Sequence, residues 1–106
     1  MNQPPEVTRP INANAPVVLP ILSDPTLVTV VANDPEQERL TFIWNIPRAT
    51  SDPEVNDFLN ESGDWISTLK LPTEWVRDGD KLEVTISDQA QPRNIVIVEW
   101  IAEVPQ

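Results

Sequence analysis

The sequence has no cysteine, no histidine, no tyrosine and only two glycines. Without histidine and cysteine it lacks the Ser-His-Asp triad, the cysteine nucleophile and the usual zinc ligands. No disulfide supports the fold, which leaves the compartment open. Positive charge is scarce: 7 lysines and arginines face 17 aspartates and glutamates, for a net charge of −10. A surface so acidic repels phosphate, so neither nucleic-acid binding nor charge-driven membrane docking is expected. The apolar stretches fall well short of a membrane span. No signal peptide is recognisable, which fits a cytosolic protein or a mature fragment.

What is present favours strands. Isoleucine and valine number 21 against 14 leucines and alanines, a β-branched bias. Twelve prolines suit short strands joined by stiff loops. At 106 residues the chain is one domain's worth. Residues 1–16, with four prolines and three asparagines, read as a leader with an edge strand around Glu6–Thr8. Residues 17–106 read as the domain proper.

Within that domain several segments alternate at period two. VVLPIL (17–22) is an edge piece interrupted at Pro20. TLVTVVA (26–32) puts Val28, Val30 and Ala32 on one face. RLTFIWNI (39–46) does the same with Leu40, Phe42, Trp44 and Ile46. WISTLKL (65–71) turns Leu69 and Leu71 inward, and KLEVTIS (81–87) turns Leu82, Val84 and Ile86 inward. RNIVIVEWIAEV (93–104) carries Val96, Val98, Trp100, Ala102 and Val104 on one uncharged face. The expected core therefore centres on Val30, Phe42, Trp44, Leu69, Leu82, Val84, Ile86, Val98 and Trp100. Residues 51–63 break the pattern. Ser51 and Glu54 have capping-box spacing, Val55, Phe58 and Leu59 fall at i, i+3 and i+4, and Gly63 is placed to end a turn. That spacing predicts a short helical insertion near 52–61. About seven short antiparallel strands with turns between them describe an all-β sandwich.

The segment VANDPEQERLTFIW (31–44) resembles the strand–turn–strand signature of bacterial immunoglobulin-like modules of the PKD and cadherin-like kind. There an Asp-Pro-acidic turn leads into a Leu-x-Phe/Tyr-x-Trp strand. STLKLPTEWVRDGDKLEVTISD (67–88) resembles the Leu-Pro corner, Asp-Gly-Asp turn and penultimate strand of the same modules, and Asn2-Gln3-Pro4-Pro5 resembles their opening boundary. The chain departs from them at Asn45-Ile46-Pro47, where PKD domains carry Gly-Asp-Gly, and at Asn12–Pro16, where a cadherin linker carries aspartates. The resemblance implies an immunoglobulin-like sandwich and a role in contact between proteins or domains.

In such a sandwich two pairs of loops share one end, which would bring Asp34, Glu36 and Glu38 near Asp88. Four converging carboxylates suit calcium. As plain turn residues, Asp34 and Asp88 would cap and the two glutamates would be solvated. A second acidic group, Asp52, Glu54, Asp57, Glu61, Asp64, Glu74, Asp78 and Asp80, is expected at the other end, facing a basic partner or simply water. Trp65 and Trp75 lie at a strand edge and a corner. Exposed, they would stack on sugar rings or anchor a protein; otherwise they cover the end of the core. Ile43, Ile66, Ile95, Ile97 and Ile101 point outward by alternation and form an apolar patch if they share a sheet face. A carboxylate pair can hydrolyse glycosides, but a filled sandwich of this size has little room for a substrate groove, so no enzyme is expected. The reading is a non-catalytic structural or interaction module of a bacterial cell-envelope or extracellular protein. The alternative is a carbohydrate-binding module using Trp65 and Trp75. Partners are proteins or neighbouring domains, with a glycan as the second class. No cofactor is expected apart from calcium at the acidic end. If Met1 stands where a mature lipoprotein has its lipidated cysteine, the residues after it form the tether.

Overall fold

The computed structural model describes residues 3–10, 15–90 and 92–105. The expectations placed on Met1, Asn2 and Asn12–Asn14 lie outside these. The described residues form eight strands and a single 3-10 turn at Thr73–Trp75. The strands are β1 (Glu6–Arg9), β2 (Val17–Pro20), β3 (Thr26–Asn33), β4 (Thr41–Asn45), β5 (Glu54–Leu59), β6 (Trp65–Leu71), β7 (Lys81–Ser87) and β8 (Ile95–Glu103). They make two four-stranded sheets, ordered β1-β3-β6-β5 and β2-β8-β7-β4.

The sheets bury their period-two faces against each other. Val28, Val30 and Ala32 of β3 and Leu69 and Leu71 of β6 meet Phe42 and Trp44 of β4, Leu82, Val84 and Ile86 of β7, and Val98 and Trp100 of β8. Two of the largest side chains in the core belong to one sheet. Trp44 and Trp100 stack with ring centroids 5.3 Å apart and planes 21° from parallel, an offset arrangement aromatic rings favour. The polar edge of Trp44 is satisfied within the core by Ser67. Trp75, in the 3-10 turn, is also buried, and its Nε1 donates to Thr50 Oγ1 at 3.1 Å.

Three expectations need correction. The helical insertion near 52–61 is strand β5, paired antiparallel with β6 from Glu54↔Lys70 to Leu59↔Trp65. Two turns of helix do not recover their nucleation cost, and Asn56 and Asp57 are weak helix formers. Alongside β6 the same residues gain a full ladder. Gly63 ends the segment in a hairpin turn: its φ is +88°, and Asn60 Oδ1 accepts from Ser62 N and Asp64 N. The second follows from the first: β5 joins the seven segments that read as strands, so the described residues hold eight. The two N-terminal strands, β1 and β2, edge different sheets. Prolines around both are tolerated because edge strands leave N–H groups unpaired. The third is direction. β2 runs parallel to β8, from Val17↔Trp100 to Pro20↔Glu103, so the sandwich is not wholly antiparallel.

Candidate functional site

The chemistry-bearing side chains gather at one end, where the β3–β4, β5–β6 and β7–β8 connections meet. Asp34 follows β3 directly. Its Oδ1 accepts from Glu36 N at 2.9 Å and its carbonyl accepts from Gln37 N at 2.8 Å. Gln37 takes a φ of +60°, a left-handed step that reverses the chain. Asp88 follows β7 and organises the opposite connection. It is fully buried, and Oδ1 accepts from Ala90 N and Asn94 N while Oδ2 accepts from Asn94 Nδ2.

These turns bring one carboxylate oxygen from each of Asp34, Glu38 and Asp88 within 4.8 Å of one another. Asp34 is 5% exposed, and its Oδ2 is buried with no hydrogen-bond partner. Glu36 is not in this group. It is exposed, and its carboxylate accepts from Gln3 N at 3.0 Å. Of the four expected calcium ligands three converge and Glu36 does not. The reason is local: with its N–H held by Asp34 Oδ1, Glu36 sits on the outside of the turn.

A cleft of about 640 Å³ opens beside the triad, lined in part by Asp34, Glu38, Arg39, Glu61, Asp64 and Trp65. Trp65 is half-buried, and the Arg39 guanidinium lies 5.2 Å from its ring centroid, in reach of a cation–π contact. Trp65 thus belongs to the same end as the acidic triad, which residue spacing did not reveal. Trp75 leaves the candidate pair: at 6% exposure and with its N–H occupied, it has little ring face to offer a sugar.

The second acidic group forms only in part. Glu61 and Asp64 sit beside Asp34 at the first end. Asp52, Glu54 and Glu74 line another cleft of about 460 Å³, together with Lys70 and Trp75. Asp80 is engaged by Arg48, Nε to Oδ2 at 2.6 Å and Nη2 to Oδ1 at 3.3 Å, and also accepts from Arg77 N. The Arg48 hydrogen bond, followed by the Arg77 N–H, holds the Asp80 carboxyl below the usual carboxylate range and raises Arg48 in return. Lys81 is raised by its hydrogen bond to Glu99. Asp78 Oδ1 accepts from Val104 N. These residues are pinned by chain reversals and ion pairs of their own, so charge alone did not collect them.

The outward isoleucines divide between sheets. Ile43 and Ile97 flank Thr85 on the β2-β8-β7-β4 sheet, with Ile95 beside them on β8. Ile66 lies on the other sheet, opposite Phe58.

No family model matches the chain, and no curated protein matches it. Among solved structures, it is similar to a nucleoside hydrolase-related hypothetical protein from Saccharophagus degradans that is associated with carbohydrate metabolism. The match has 16% identity and a TM-score of 0.59, and covers 98% of this chain and 26% of that one. At that identity the likeness shows the fold alone, and the chain spans about a quarter of that protein's length.

Proposed function

We propose that this chain is an immunoglobulin-like module of a bacterial cell-envelope or extracellular protein, and that it works by contact and not by catalysis. The strand orders β1-β3-β6-β5 and β2-β8-β7-β4 support the immunoglobulin-like reading, because they match the division of strands in that fold once an extra N-terminal strand is added beside the last. One observation carries the functional reading. The stacked Trp44 and Trp100 fill the space between the sheets, so the reactive side chains are confined to surface turns. The S. degradans protein, in which the matching part is 26% of the chain, supports a module within something larger. Two measurements test the proposal. The purified chain is assayed against nucleosides and aryl glycosides, and turnover that follows the protein peak on gel filtration overturns the non-catalytic role. The full-length gene product is tagged and fractionated, and confinement to the cytosol overturns the location.

A second reading, glycan binding, is favoured by Trp65 in a cleft that also offers Asn33, Ser62 and Asp64. Arg39 lies over the ring and would have to swing aside for a sugar to stack. Titration of tryptophan fluorescence with polysaccharides tests it, with Trp65→Ala as control. A response that persists in the variant rejects the reading.

A further inference from the structure

We propose that Asp34, Glu38 and Asp88 form a binding site for a divalent cation of the calcium class, clamping the β3–β4 turn to the β7–β8 turn. The inference stands independently of the contact function.

The first observation is convergence. One oxygen from each carboxylate lies within 4.8 Å of the others. A calcium ion takes ligands at about 2.3–2.6 Å, so oxygens on opposite sides of it stand roughly 5 Å apart. Three carboxylates at such spacing, two of them buried, concentrate acidic groups where a divalent cation would be attracted. The second observation is independent of the first. Asp34 Oδ2 is buried without a partner, whereas its other oxygen is used by the turn. Burying a carboxylate oxygen unpaired is costly, and a cation at the centre of the triad removes that cost. The donor set is all oxygen, which suits a hard cation. The carboxylates come from two separate turns, and that adjustability favours calcium over magnesium, which demands a tighter octahedron.

The site has a structural consequence. Asp88 already ties its own connection together through Ala90 and Asn94, and Asp34 does the same for the β3–β4 turn. A shared ion joins these two ordered turns into one unit, next to the cleft that holds Trp65.

The test uses the chelator-treated chain. Melting is followed with calcium chloride, with magnesium chloride and with EDTA, and terbium luminescence excited through tryptophan reads binding directly. Three variants accompany the wild type. Asp34→Asn keeps an oxygen for Glu36 N, Glu38→Gln keeps the shape, and Glu36→Gln changes a carboxylate outside the triad. Millimolar calcium is expected to raise Tm by about 5 °C or more and to displace terbium. The rise should be the same in Glu36→Gln and lost in Asp34→Asn and Glu38→Gln. In EDTA, Asp34→Asn should melt close to the wild type, because the amide oxygen still accepts from Glu36 N. Equal melting in calcium and EDTA without terbium luminescence overturns the site. So does a calcium response that survives in both triad variants, and an equal response to magnesium overturns the calcium class.

Discussion

Trp44 on β4 donates its indole N–H to Ser67 Oγ on β6 at 2.9 Å, a buried hydrogen bond that crosses from one sheet to the other. Most of what joins the sheets is apolar and without direction. This bond is directional, and it fixes how far the Trp44 ring slides over Trp100. Ser67→Ala leaves the indole donor buried and unpaired, which costs about 1–3 kcal/mol. Urea unfolding followed by tryptophan emission measures it. A loss of only a few tenths of a kcal/mol would mean that the ring finds water or another acceptor.

Leu69 is fully buried on β6, directly paired with Val28 and Val55. Leu69→Ala removes its methyl groups from a site hemmed in by two strands and the facing sheet. The expected loss is about 2–5 kcal/mol, with the higher part of that range applying if β3 and β5 cannot close the gap. Chemical denaturation with an unchanged m-value is the check.

The Asp80 carboxyl is held below its ordinary range, first by the hydrogen bond from Arg48 and then by the Arg77 N–H. A lowered folded-state value means that the ionised form favours the native state. That contribution is present above the unfolded carboxylate value of about 3.9 and is lost as pH falls through the lower folded value. Asp80→Asn should therefore flatten the acid limb of stability below about pH 4. Carboxyl carbon NMR should show Asp80 titrating below the ordinary carboxylate range, and Arg48→Ala should move it upward. An Asp80 titration that does not move in that variant would remove the Arg48 interaction from solution.

Gly63 has a φ of +88°, and nothing stands within 4 Å of where a Cβ would sit. The cost of Gly63→Ala is thus conformational and not steric, about 1 kcal/mol. It should weaken the β5–β6 hairpin selectively. Amide exchange at β5 should quicken more than at β7, and uniform quickening would place the loss in the whole fold.

The strands of the second half were legible because each alternates cleanly. KLEVTIS and WISTLKL put every second residue inside, and their limits, Lys81–Ser87 and Trp65–Leu71, agree with the structure. β5 was not legible. Val55, Phe58 and Leu59 have helical spacing, but Phe58 and Leu59 are exposed in the strand and only Val55 turns toward the core. An edge strand that buries so little has no strong period, and its identity comes from the partner strand and not from its own residues. The convergence of Asp34, Glu38 and Asp88 was legible through the expected sandwich, which puts their two connections at one end. The exclusion of Glu36 was not, because it depends on which of three neighbouring carboxylates the turn uses as its own acceptor. The burial of Trp75 was equally hidden, since a 3-10 turn after Pro72 decides where that ring points.

The parallel run of β2 beside β8, continued by Ile21 N donating to Glu103 O at 2.9 Å, has a mechanical meaning. If the polypeptide is drawn taut through this domain, β2 is pulled toward its start and β8 toward its finish. In parallel strands those pulls oppose each other along the ladder axis, so every rung bears the load at once in shear. Antiparallel terminal strands would peel open one rung at a time. The seam between β2 and β8 is therefore oriented to resist stretching.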